Sequence, residues 1–147
     1  MKITSPLFSD GESIPQRYTC DGEDINPPLN ISGDIQPGTR SLALTVFDSD
    51  APGKGWVHWM LWNMEPETKA IGENSVPAGA AQGMTDFGRP GYGGPCPPSG
   101  THRYEFRLYA LDAMLDIPET STMKDLQMAM DGHVLDQAVL VGLYSRQ

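Results

Sequence analysis

The stretch Trp56-Val57-His58-Trp59-Met60-Leu61-Trp62-Asn63-Met64 contains all three tryptophans of the chain. A run this apolar and aromatic suits a pleated, largely buried surface, so it reads as a strand. Alternation along it places Trp56, His58, Met60 and Trp62 on one face. Upstream, Ser41-Leu42-Ala43-Leu44-Thr45-Val46-Phe47 is a second apolar run. It stops at Asp48-Ser49-Asp50-Ala51-Pro52, where two acids and a proline end the ladder. Downstream, residues 65–101 form a connection rich in glycine and proline, of a length that usually serves function. A third strand runs from about His102 to Leu111. Its alternation sets His102, Tyr104, Phe106, Leu108 and Ala110 on one face and Arg103, Glu105 and Arg107 on the other.

Further out, Thr122 is a helix cap with Asp125 three residues on, and Gly132 is the stop. Met123, Leu126, Ala129 and Met130 make the apolar stripe of this one short helix. Ala138 to Tyr144 reads as a last strand. The first 38 residues hold turn formers such as Asp21-Gly22 and Asn26-Pro27-Pro28, and supply short extended pieces and loops. The expected fold is mainly β: a two-sheet antiparallel β-sandwich with one short helix near the C-terminus, in a single domain over residues 1–147.

Composition narrows the function. Ten Lys and Arg against nineteen Asp and Glu leave a net charge of -9, and no basic cluster occurs. A nucleic-acid partner, which needs a basic surface to displace counterions, is therefore excluded, and so is attraction to an anionic membrane. No apolar run reaches the roughly 20 residues of a membrane span. The N-terminus Met1-Lys2-Ile3-Thr4-Ser5-Pro6 lacks the apolar segment of a signal peptide, so the expected location is cytoplasmic. In that setting Cys20 and Cys96 read as two reduced thiols, with one disulfide as the alternative in an oxidising compartment.

Three features then converge. Asp48 and Asp50 stand where a strand leaves the sheet, His58 sits among aromatic neighbours, and His102 with Tyr104 follows the loop Gly93-Gly94-Pro95-Cys96-Pro97-Pro98-Ser99-Gly100. Two imidazoles, a carboxylate and a phenol can cradle a small anion, each ring donating one N–H while its other nitrogen is fixed by a carboxylate or carbonyl. Asp48 would orient an imidazole and favour its cation. Prolines 52, 95, 97 and 98 would stiffen the rim. His133 reads as an exposed charge at the helix end.

These residues resemble a known family. Asp48-Ser49-Asp50-Ala51-Pro52, Trp56-Val57-His58 and Gly100-Thr101-His102-Arg103-Tyr104 are similar to the two signature segments of phosphatidylethanolamine-binding proteins. Tyr18-Thr19-Cys20-Asp21-Gly22, Asn26-Pro27-Pro28-Leu29 and Gly93-Gly94-Pro95-Cys96-Pro97-Pro98 resemble its prokaryotic, Raf kinase inhibitor-like branch (the YbhB/YbcL type). The match runs in order from about Ser5 to Tyr144. It implies two antiparallel sheets with a pocket at one end for phosphate, acetate or a phosphorylated head group. The family's pocket positions fall on Asp48, Ala51, Pro52, His58, Gly94, Pro95, His102 and Tyr104, and its motif tryptophan on Trp56. Arg103, pointing away from His102, should pair with a loop acid. Ser49 replaces a proline of the animal motif. The chain ends at Gln147, before the C-terminal helix of animal members, which implies a more open pocket.

Family members are described as lipid binders, kinase regulators and serine-protease inhibitors, so a phosphorylated protein or a protease is the partner class implied, and the prokaryotic branch implies a homodimer. The expected function is non-enzymatic anion binding with a regulatory role, without cofactor or resident metal. Two alternatives stand beside it. One is a metal-dependent enzyme using Asp48, His58 and His102. The other is an interaction module whose working surface is the 65–101 connection.

Overall fold

The computed structural model describes residues 1–146. Its strands are β1 (Lys2–Thr4), β2 (Glu12–Ser13), β3 (Leu29–Ser32), β4 (Ser41–Asp48), β5 (Trp56–Met64), β6 (Ala70–Ile71), β7 (Ala81–Gln82), β8 (His102–Leu111) and β9 (Val134–Tyr144), with helix α1 (Met123–Met130) before the last. They form a three-stranded sheet, β1-β3-β6, and a six-stranded sheet, β2-β9-β8-β4-β5-β7. Pairing is antiparallel, as expected, except that β2 lies parallel to β9.

The long central strands bury both faces. Leu42, Leu44, Val46, Phe106 and Leu108 pack inward against Ile3, Leu29, Ile31 and Ile71 of the small sheet. On the opposite face, Ala43, Met60, Trp62 and Leu111 meet Leu126 and Met130 of α1. The molecule is thus small sheet, large sheet and helix in three layers, each large apolar side chain contributing about 1.5–3 kcal/mol on burial. The helix begins as its sequence predicts. Thr122 accepts a hydrogen bond from the Asp125 amide, and the Asp125 carboxylate accepts one from the Thr122 amide at 3.0 Å. Gly132 then takes φ +81°, the left-handed turn that a side chain resists.

The predicted face of β5 is wrong, and the cause is local. Val46 pairs with Trp59 but Phe47 with Val57, so His58 is an extra residue, a β-bulge. A second irregularity lies between the pairs Leu44–Leu61 and Leu42–Met64, where Asn63 adopts φ 60°. Val57, Met60 and Trp62 consequently face the helix, whereas Trp59, Leu61 and Met64 enter the inter-sheet core. His58 leaves the row of Met60 and Trp62 and packs edge-on against Tyr104, on the inner side.

Cys20 and Cys96 are not free thiols but one disulfide. The Cys20 amide donates to the Pro95 carbonyl at 3.1 Å, the Tyr92 hydroxyl to the Tyr18 carbonyl at 2.7 Å, and the Gly94 amide to Asp24 Oδ1 at 2.7 Å. These bonds lay the two cysteine-bearing segments side by side, which their separation in sequence conceals. The 65–101 connection also contains β6, β7 and a lone bridge between Met84 and Pro90, so it is partly ordered by pairing. Among the described residues no helix is long and apolar enough to cross a membrane.

Candidate functional site

Strand β4 ends at Asp48 because its carboxylate captures the turn that follows. Asp48 Oδ1 accepts from the Asp50 amide at 2.9 Å and the Ala51 amide at 3.1 Å. Its other oxygen, Oδ2, lies 2.6 Å from His102 Nδ1 on the neighbouring strand. Asp48 is opposite Tyr104 in the β4–β8 register, so His102 is one alternation away on the same face. Both partners are nearly sealed from solvent, Asp48 at 3% and His102 at 7% exposure.

The bulge aims His58. Its Nδ1 lies 2.6 Å from the Gly93 carbonyl, and the Gly93 amide donates to the His58 carbonyl at 3.0 Å. The ring stands edge-on between Phe87 and Tyr104, at centroid distances of 5.3 and 5.2 Å. Burial holds the imidazole below its ordinary pKa, partly offset by the Gly93 carbonyl and by the carboxylates of Asp48, Asp24 and Asp86.

These elements enclose a cavity of about 260 Å³ lined by Asp48, Ala51, Pro52, Trp56, His58, Phe87, Cys96, Pro97 and Pro98. Asp48, Ala51, Pro52, Trp56 and His58 thus share the wall to which the sequence assigned them. Gly94, Pro95, His102 and Tyr104 do not line it. His102 stands behind Asp48, and Tyr104 backs the His58 ring. Pro95 offers its carbonyl to Cys20, and Gly94 fits where a Cβ would come within 2.5 Å of the Tyr18 carbonyl oxygen. The wall residues that sequence reasoning missed are Cys96, whose sulfur is in the disulfide, and Phe87, 39% exposed in the 65–101 connection and stacked edge-on to Trp56 at 5.6 Å. An exposed aromatic beside glycine in Asp86-Phe87-Gly88 was the available signal.

The proton inventory corrects one expectation. A carbonyl and a carboxylate can only accept, so both Nδ1 atoms carry the ring proton. A neutral imidazole then has a bare Nε2, and it donates from that atom only as a cation. Neither Nε2 has a hydrogen-bond partner among the described residues. The Tyr104 hydroxyl is fully buried and makes no hydrogen bond of good geometry, although Asp48 and the Cys96 backbone lie near enough to act on it; burial and then the Asp48 charge push its pKa up. Such an orphan polar atom carries a desolvation cost of about 1–3 kcal/mol until something bonds to it.

The metal alternative finds no geometry here. The Asp48 oxygens and His102 Nδ1 face each other rather than a shared point. Among the described residues no group of three or more His, Cys, Asp or Glu side chains is placed to hold an ion. Arg103, as expected, points away from His102. It grips Asp50 through its amide at 2.9 Å and through Nε and Nη2 at 3.1 Å each. His133 is exposed and pairs with Asp112 at 2.7 Å, far from the cavity wall in the chain.

Comparisons with known proteins agree with this architecture. The chain is 49% identical over 151 residues to a UPF0098 protein of Methanothermobacter thermautotrophicus, covering 99% of each. Among solved structures it superposes at TM-score 0.94 on a phosphatidylethanolamine-binding protein homologue of Chlamydia trachomatis, with 40% identity over 99% of this chain and 97% of that one. Escherichia coli YbcL, described as a member of the mammalian PEBP family, matches at TM-score 0.93 and 30% identity, covering 99% of this chain and 98% of its own. The model of the phosphatidylethanolamine-binding protein family matches residues 4–145. The chain therefore belongs to the phosphatidylethanolamine-binding protein family.

Proposed function

We propose that this protein is a non-enzymatic binding protein that takes a small anion, phosphate or a phosphorylated group, into the cavity between Asp48 and His58. The observation that carries the reading is the set of unspent polar atoms there. His58 Nε2 lacks a partner on a wall otherwise built of Trp56, Phe87 and prolines, and the Tyr104 hydroxyl behind it is buried unpaired. Apolar walls with a few fixed polar atoms are the usual make-up of a small-ligand site.

Absence of catalysis fits the same wall. Cys96 is its one thiol or hydroxyl group among the described residues, and the disulfide holds that sulfur. Kinase- or protease-directed regulation would then operate by engaging a phosphorylated group on the partner, without a membrane span, and the Cys20–Cys96 disulfide favours an oxidising compartment over the expected cytoplasm. The test is a titration with inorganic phosphate, following the imidazole ring signals at pH 6. Saturable shifts at His58 and His102 with His133 silent are expected. Three unresponsive rings would overturn the reading.

A further inference from the structure

We propose that the cavity selects anions that bring a proton with them: phosphate monoesters, in preference to phosphodiesters such as intact phospholipid head groups. The inference rests on the anion-site reading above and goes further, because it names the protonation state the ligand must have.

The argument begins with the fixed nitrogens. His58 Nδ1 donates to Gly93 and His102 Nδ1 donates to Asp48, at 2.6 Å in both cases. The His58 ring, kept neutral by its burial, therefore turns a bare lone pair, Nε2, away from its anchor. The cavity wall contains no Lys or Arg. Arg103 is engaged by Asp50, and Arg89 lies over the Phe87 ring at 5.7 Å. Asp48 is the charged group on the wall, and its neighbours Asp24 and Asp86 also act on His58. From β8, Tyr104 packs edge-on against that ring, while His102 is held by Asp48. A fully ionised anion entering here meets the Asp48 carboxylate and the His58 lone pair, with the Trp56 indole N–H as the one side-chain donor on the wall. One donor does not offset that carboxylate and lone pair, so binding draws in a proton, either with the anion or from solvent onto Nε2.

A phosphate monoester supplies that proton from its own second ionisation, near pKa ~6. Its P–OH donates to His58 Nε2 while an ionised oxygen accepts from a donor of the wall such as the Trp56 indole N–H. A phosphodiester has no such proton, so His58 must be protonated at the expense of its burial. Every pH unit by which the ring lies below the ligand's own pKa counts about tenfold against the diester.

The experiment is calorimetric titration of the unmodified protein with methyl phosphate, dimethyl phosphate and sulfate. Runs at pH 6.0 and 7.5, each in two buffers of different ionisation enthalpy, count protons. Methyl phosphate should bind more tightly than the other two at pH 6. At pH 7.5 it should take up close to one proton per ligand and weaken about tenfold for each further pH unit. Equal binding of monoester and diester, or monoester binding without proton uptake, would overturn the proposal while leaving an anion site in place. Failure of all three ligands to bind would overturn the anion-site reading beneath it. His58→Gln, which places an amide where Nε2 stands, should abolish the proton count. An unchanged count in that variant contradicts the assignment of the proton to this ring.

Discussion

Reducing the Cys20–Cys96 disulfide should destabilise the protein by about 4.5 kcal/mol, and the reason lies mainly in the unfolded chain. The bridge closes a loop across 76 residues. Loop-closure entropy for a ring of that size is worth about 15 cal/mol/K, or about 4.5 kcal/mol at room temperature. The native side loses little. The Cys20–Pro95, Tyr92–Tyr18 and Gly94–Asp24 hydrogen bonds hold the same two segments together without the sulfurs. An unfolding entropy of about 2.1 cal/mol/K per residue turns the loss into a Tm lowered by about 14 °C. The assay is thermal and urea unfolding of the oxidised protein and of Cys20→Ala/Cys96→Ala, with thiol counting by mass spectrometry. A shift below about 1 kcal/mol, with the bridge confirmed intact in the oxidised sample, would refute the entropic account. Two free thiols in native protein prepared without reductant would refute the bridge itself.

Other perturbations read other parts of the architecture. His58 sits folded with a pKa below the ~6.5 of an unfolded histidine, so the unfolded state binds the proton more readily. Stability is therefore full above about pH 6.5 and falls as pH drops below it, at up to about 1.4 kcal/mol per unit until the folded-state pKa is reached. Urea unfolding between pH 7 and 5.5 should show this slope in the parent and lose it in His58→Gln; equal slopes would count against a neutral, buried ring. Gly94→Ala should cost about 3 kcal/mol or prevent folding, because its Cβ would meet the Tyr18 carbonyl oxygen at 2.5 Å and Asp24 Oδ1 at 2.6 Å. A variant as stable as the parent by urea midpoint would show that the 92–96 segment can move aside. Arg103→Ala should change stability by less than about 1 kcal/mol, since its pair with Asp50 is exposed, and should leave anion affinity unaltered. A loss of affinity in that variant would put Arg103 into the site.

How much could be read in advance depended on whether the chain kept its period. Strand β8 was found residue for residue, because nothing interrupts its alternation and Tyr104, Phe106 and Leu108 all point inward. Helix α1 was equally legible, since Thr122 and Asp125 satisfy backbone groups that any helix start leaves open. Strand β5 defeated the same reasoning because a bulge adds a residue without changing composition. No residue type marks His58 as the extra one, although Asn63, a residue that tolerates positive φ, hinted at the second irregularity. The site divides along the same line. Asp48, Ala51, Pro52, Trp56 and His58 lie on two strand ends and the turn that joins them, so adjacency in sequence foretold adjacency in space. Phe87 and the disulfide arise from loop-to-loop packing, for which one sequence has no periodic signature.

The bulge also bears on the ligand. Without it, His58 would share the row of Met60 and Trp62, on the face that packs against the helix. With it, the ring reaches a cavity whose surroundings are acidic, on a chain of net charge -9. A field of that sign opposes every approaching anion, and a dianion more than a monoanion. The global field and the local lone pair thus favour the same protonated species, yet salt separates them. At 0.1 M ionic strength the Debye length is about 10 Å, so added salt screens the field of distant carboxylates but barely touches contacts inside the cavity. Phosphate monoester affinity should accordingly rise or hold steady with salt while the number of protons taken up stays fixed. A proton count that fell in step with screening would place the selectivity in the surface charge and remove it from His58.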